Sequence, residues 1–263
     1  MITRRELIEK AFKVGGLAAL YGLGLSSKEV HAWMAGGMGG GVAATAAEDY
    51  SDIIFYWGCN STTPDKSAGD TLAAGGGGGE AIDTGLYFAG TGSVDSPSSY
   101  ARYDFTLNND DLIDVDAGRI GFAIYVDTLT ANKGVFKASY DANNYISVLM
   151  WSSNRLIVNY VAGGSGTQYL ATSTLTIVGG WHFFEMRFNK GDAGNEVEVY
   201  WDGNATPVAT DNTASGTWTK GASGTLSIGD IEGNSGDFHI DQVMISNDPD
   251  RDLYALRNTT DLD

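Results

Sequence analysis

The stretch Gly180-Trp181-His182-Phe183-Phe184-Glu185-Met186-Arg187-Phe188, followed after a polar turn by Val197-Glu198-Val199-Tyr200-Trp201-Asp202-Gly203-Asn204, decides how the chain is read. In both segments large apolar residues recur at alternate positions, the period of a strand with one buried face. The second segment ends in Asp-Gly-Asn, residue types that accept the left-handed backbone of a tight hairpin turn. In Glu196–Trp201, Val197, Val199 and Trp201 are expected to point inward, while Glu196, Glu198 and Tyr200 point out.

Working outward, the chain from Tyr50 onward alternates short β-type runs with clusters of Gly, Asn, Asp and Ser. The runs are Ile53–Cys59, Gly85–Ala89, Ala101–Leu107, Arg119–Asp127, Gly134–Tyr140, Tyr145–Trp151, Arg155–Val161, Gln168–Thr172, Trp181–Asn189, Glu196–Trp201, Thr225–Ile228 and Phe238–Ser246. Regular short strands without intervening helical periodicity predict an all-β, two-sheet antiparallel sandwich. In Arg119–Asp127, Ile120, Phe122, Ile124 and Val126 share one face, and Gly121, Ala123 and Tyr125 share the other. Such a split predicts sheets with one dry and one wet face. A short C-terminal helix is expected, capped by Asp248, with Pro249 at its first position, running through Leu253–Leu256 to about Asn258.

The order Trp181-His182 … Tyr200-Trp201-Asp202-Gly203, with the closing strand Ile240-Asp241-Gln242-Val243-Met244-Ile245, resembles laminin-G-like jelly rolls of the concanavalin A-like lectin and glucanase superfamily. The resemblance covers about Ile53 to Leu256. It implies a jelly-roll sandwich and leaves activity open, because that fold hosts lectins, glucanases, lyases and structural modules.

Residues 1–32 read as an export leader. Thr3-Arg4-Arg5-Glu6-Leu7-Ile8-Glu9-Lys10 resembles a twin-arginine signal, Val14 to Leu25 is a modestly apolar stretch too short for a stable bilayer span, and Val30-His31-Ala32 offers a peptidase cut, with a second at Ala44-Thr45-Ala46. The alternative is a retained N-terminal helix through which the protein self-assembles. Residues 33–49 are a Gly/Ala-rich tether, and 50–263 form the jelly-roll domain. The run Gly75 to Gly79 lacks the Lys and Ser/Thr of a phosphate-binding loop and reads as a loop within that domain.

The chain has 263 residues and a formal net charge of -17; its leader carries +2, which leaves -19 on the rest. So acidic a body repels phosphate backbones and anionic lipid, excluding nucleic acid and electrostatic membrane docking as partners. Cys59, the only cysteine, cannot form an intrachain disulfide and is expected to be a small buried hydrophobe.

Glucanases of the resembled superfamily carry Glu-x-Asp-x-(x-)Glu on one strand, placing nucleophile and acid on one side of a cleft. That pattern is absent. The nearest imitation, Glu196-Val197-Glu198-Val199-Tyr200-Trp201-Asp202, has Glu198 for the middle Asp and ends in a turn. The lyases of the fold need a Tyr with His or Gln and Arg or Lys; here His182 alternates with Glu185 and Arg187 and falls on the Phe184, Met186 and Phe188 face. No Ser-His-Asp order, zinc spacing or nucleotide fingerprint occurs. The reading is therefore not an enzyme.

What the resemblance does imply is calcium, held by the last-strand Asp and carbonyls of earlier segments: Asp241, with Gly58 and Gly85. Glycan contact asks for aromatic rings near turns with polar partners, which selects Tyr140, Asn143, Tyr145, Trp151 and Trp218. The expectation is an exported (periplasmic, cell-surface or extracellular) non-catalytic module for recognition or adhesion, binding a glycan or cell-surface polymer. Two alternatives stand beside it: a structural subunit of a surface layer, filament or virion, and a divergent glycan hydrolase or lyase should the Glu196/Glu198 face line a deep groove.

Overall fold

The computed structural model describes residues 50–66, 71–74, 80–97, 100–107, 116–164, 167–192, 196–212, 216–217, 223–231 and 237–258. The leader, the tether, the Gly75–Gly79 run and Trp218 lie outside the described residues. In chain order the strands are β1 (Ile53–Trp57), β2 (Thr71–Ala74), β3 (Ala81–Asp83), β4 (Ser93–Ser96) and β5 (Arg102–Leu107). There follow β6 (Ala117–Val126), β7 (Lys133–Asp141), β8 (Asn144–Trp151), β9 (Arg155–Val161) and β10 (Thr167–Ala171). The last are β11 (Trp181–Asn189), β12 (Val197–Trp201), β13 (Ala209–Asp211), β14 (Gly224–Gly229) and β15 (Phe238–Ser246), before a four-residue helix α1 (Leu253–Leu256).

These strands form two antiparallel sheets packed as a sandwich. One has eight strands in the order β13-β12-β11-β6-β15-β4-β3, with β1 also paired to β15; the other has seven, in the order β10-β9-β8-β7-β14-β5-β2. The inner faces meet as the alternation predicts. Ile120, Phe122, Ile124 and Val126 of β6 and Val197, Val199 and Trp201 of β12 all join the main core. Aromatic rings bridge the two layers: Phe122 stacks on Phe136 at 5.7 Å, and Trp57 meets Phe105 edge-on at 5.0 Å. Each such ring, removed from water, contributes about 1.5–3 kcal/mol, and edge-to-face or offset geometry adds to that. Cys59 is fully buried within this core, as expected of a lone small hydrophobe, and burial pushes its thiol well above the usual range.

Three sequence expectations are corrected. Gly85–Ala89 is a loop, because the amides of Phe88 and Ala89 bond the Asp241 carboxylate instead of a neighbouring strand. The helix is capped by Asp252, whose side chain accepts from the Ala255 amide at 2.9 Å; Asp248 closes a preceding turn by accepting from the Asp250 amide. The eight-stranded sheet also has no wholly wet face. Its outer side carries a second core of Ile53, Tyr56, Ala123, Phe183, Met244, Leu253 and Leu256. Gly121 makes room for it: a Cβ there would lie 3.1 Å from Leu253 Cδ1 and 3.2 Å from Phe183 Cε1.

Strand β15 holds the eight-stranded sheet together. It pairs with β6 along one side, and on the other exchanges β4 (at Phe238–Ile240) for β1 (at Val243–Ser246). The exchange falls at a bulge, where Asp241 faces Ala123 but Met244 faces Gly121, and Gln242 takes the left-handed φ of 53°.

Candidate functional site

The outer face of the seven-stranded sheet follows from strand parity. Ile146, Val148 and Met150 of β8 enter the core, so Tyr145, Ser147, Leu149 and Trp151 point outward. Cross-strand register then sets Asn159, Ser147, Lys137, Ser227 and Asp104 in one row across β9, β8, β7, β14 and β5. Within the row Asn159 Nδ2 donates to Ser147 Oγ at 3.1 Å, and the Asp104 carboxylate pairs with Arg102 at 3.0 Å. The Lys137 ammonium lies 4.6 Å from the Tyr145 ring centroid, at the edge of the row. On the other side of the row Leu149 faces Ile157, and Trp151 faces Arg155. Polar and charged groups held on a rigid sheet between two aromatic rings, with Ser147 and Ser227 themselves buried, suit hydroxyl-rich ligands.

Of the five residues expected to contact glycan, Tyr145 and Trp151 therefore share this face at opposite ends of β8. Tyr140 packs against the main core. Asn143 is exposed in the β7–β8 turn, where its amide donates to Asp141 Oδ1 at 2.7 Å and its carbonyl accepts from Gly164 at 3.0 Å. Trp218 falls outside the described residues. Lys137, Asn159, Ser227 and Asp104 escaped the sequence reading because none is aromatic or adjacent to a turn; only pairing register brings them together.

Asp241 is fully buried at the β15 bulge. Its Oδ2 accepts from the amides of Phe88 (2.8 Å) and Ala89 (3.0 Å), and its Oδ1 from the amide of Gln242 (2.7 Å). Burial pushes its pKa up to about 7, against the pull of those three amides. The Gly58 amide donates to Asp65 Oδ2 at 2.6 Å and the Gly85 amide to Asp83 Oδ1 at 2.7 Å. Calcium wants a cage of oxygens. The set converging on Asp241 is made of N–H donors, so its carboxylate does not fit that ion. Among the described residues no group of three or more His, Cys, Asp or Glu side chains is placed to hold a metal.

Of the carboxylates of the nearest glucanase-like strand, Glu198 and Asp202 are engaged by neighbours, whereas Glu196 Oε2 is buried without a hydrogen-bond partner among the described residues. Glu198 is buried, and its Oε2 accepts from Arg187 Nη1 at 3.2 Å and from the Tyr200 hydroxyl at 2.9 Å. Asp202 sits in the hairpin turn with φ 55°, accepting from the Phe183 amide at 2.9 Å, with its other oxygen 2.8 Å from His182 Nδ1. His182 in turn stacks on Trp201 at 4.9 Å. Glu185, one strand over, is buried against Arg119 at 3.0 Å; burial raises its pKa and Arg119 opposes the rise. Arg119, Glu185, Tyr200, Asn204, Asp252 and Tyr254 line a pocket of about 300 Å³ on this outer face.

No protein-family model matches the sequence, and no curated protein matches it. Solved structures do match in fold. The receptor-binding domain of botulinum neurotoxin D superposes with a TM-score of 0.59 at 13% identity, over 75% of this chain and 49% of that one. The binding domain of botulinum neurotoxin serotype C1 gives 0.56 at 16% identity, again over 75% and 49%. The binding domain of Paraclostridial Mosquitocidal Protein 1 gives 0.57 at 12% identity over the same shares. This chain thus spans about half the length of each of those structures. The likeness establishes the two-sheet antiparallel sandwich.

Proposed function

We propose that the chain is an exported, laminin-G-like, non-catalytic recognition module that binds neutral glycan through the outer face of its seven-stranded sheet. One observation carries the reading: the row of Asn159, Ser147, Lys137, Ser227 and Asp104 that pairing register builds between Tyr145 and Trp151. Hydroxyls both donate and accept, and this row offers both roles on a surface that need not reorganise on binding. The non-catalytic reading is supported by Glu198, whose Oε2 is held by Arg187 and Tyr200, and by Asp202, both of whose oxygens are bonded, on the other sheet. That the fold neighbours are named as receptor-binding and binding domains supports recognition as the role. Calcium has no part in the reading, because amides surround Asp241.

The test is a glycan array probed with the full chain, alongside Tyr145→Ala and Asn159→Ala. The wild type should retain at least one neutral glycan, each variant should weaken it about tenfold, equivalent to about 1.4 kcal/mol, and EDTA should change nothing. An array blank for the wild type, or the same glycans held equally by both variants, would remove the proposal. Loss of binding on adding EDTA would restore calcium to it.

A further inference from the structure

We infer that the eight-stranded sheet carries a second ligand site, separate from the face above: the pocket beside α1, which takes the vicinal hydroxyls of a single neutral sugar residue. Its floor is Glu185, 2% exposed, whose Oε1 accepts from Arg119 Nε at 3.0 Å and from the Tyr254 amide at 3.2 Å. Both of these bonds fall on Oε1, which leaves Oε2 as the acceptor for a ligand in the pocket that Glu185 lines. Arg119, with Nε committed to Glu185, keeps its terminal nitrogens as donors, and its guanidinium is held 5.0 Å from the Tyr200 ring centroid. One acceptor and one donor therefore stand side by side on side chains whose positions are fixed by packing. A pair of neighbouring hydroxyls answers that pattern, one donating to the carboxylate and the other accepting from the guanidinium.

The walls make the site rigid. Gly203, with φ 67°, has the Tyr254 ring so close that a Cβ would lie 2.2 Å from Cε1, so only glycine fits, and the turn holds Asn204 at the rim. The ring of Tyr254 is braced on its own account by the Arg257 guanidinium 3.7 Å from its centroid. Size and charge narrow the ligand. A volume of about 300 Å³ is at the small end of ligand sites, roughly 300–1,000 Å³, which suits one sugar residue. Asp252 and Glu185 both line it, so an incoming anion meets two carboxylates against one guanidinium. Neutral hydroxyls meet no such penalty.

The probe is a panel of methyl pyranosides of glucose, galactose and mannose, titrated into the ¹⁵N-labelled full chain, with L-serine as a zwitterionic comparison. At least one glycoside should shift the backbone amides of Gly203, Asn204 and Tyr254. Glu185→Gln and Ala205→Trp should each weaken that glycoside by roughly tenfold or more; the second fills the pocket from its exposed rim without touching the Arg119–Glu185 pair. Tyr145→Ala should leave these shifts intact, which separates failure here from failure of the other face. Three outcomes overturn the inference: no glycoside moving these amides, shifts surviving both pocket variants, or L-serine moving them when no glycoside does.

Discussion

At Asp241 the chain buries a carboxylate whose hydrogen-bond partners among the described residues are three backbone amides. Two of those amides, of Phe88 and Ala89, pin the 85–90 loop to the bulge where β15 changes partners, so the residue organises the sheet. It also imposes a pH dependence whose sign is fixed. The folded pKa of about 7 exceeds the ordinary 3.8. The contribution is therefore complete below about pH 4 and is lost as pH rises through 7, on the order of a few kcal/mol. Glu185 is raised too, so it works in the same direction. Asp241→Asn should unfold at lower urea than the wild type at pH 5, by about 1–3 kcal/mol, because an amide side chain cannot satisfy all three donors. It should also lose less stability between pH 5 and pH 8. Parallel pH profiles for the two proteins would show that Asp241 does not control this window. The sequence marked Asp241 as special through its Ile-Asp-x-Val setting, but two of its three partners lie some 150 residues away, on a loop that reads as a strand.

Among elements, α1 is the least self-sufficient: at four residues it has no stability of its own. What holds it is tertiary. Leu253 and Leu256 are buried against Ala123, Phe183 and Met244, and just before the helix Arg251 pairs with Asp52 at the start of β1, Nε to Oδ2 at 2.8 Å. Burial alone would raise the Asp52 pKa; the bonds from Arg251 and Ser246 outweigh it and bring the value below the ordinary range. That contribution is present above about pH 4 and is lost as pH falls through the lowered value. Leu253→Ala should cost about 2–4 kcal/mol and, by loosening Tyr254, broaden the pocket amides in NMR spectra. A variant as stable as wild type would mean that the second core adds nothing. The long strands were legible because each turns a full set of large side chains to the core. The short strands Ala81–Asp83, Ser93–Ser96 and Ala209–Asp211 were not, being three or four residues long with no alternation to read. The pocket was legible only as parity: Glu185 and Tyr200 face each other across β11 and β12, but α1 and the hairpin turn complete it from separate parts of the chain.

For the whole molecule, two outer faces lie on opposite sides of one sandwich, and they differ in cover. The seven-stranded sheet offers its polar row, while the second core and α1 cover part of the eight-stranded sheet and leave a pocket beside them. Over both lies the field of a chain with net charge -17. Such a field raises the local concentration of cations and lowers that of anions, and at about 0.1 M salt it reaches only about 10 Å. Neutral sugars do not feel it. Sulfated or carboxylated ones do, however well their hydroxyls match the row. Binding to neutral glycans should therefore change less than about twofold between low and physiological salt, and anionic glycans should gain affinity as salt rises. Strongest retention of sulfated glycans at the lowest salt would mean that a local basic surface overrides the field. Lys137 would then be the first side chain to replace, because its ammonium is the cation of the polar row.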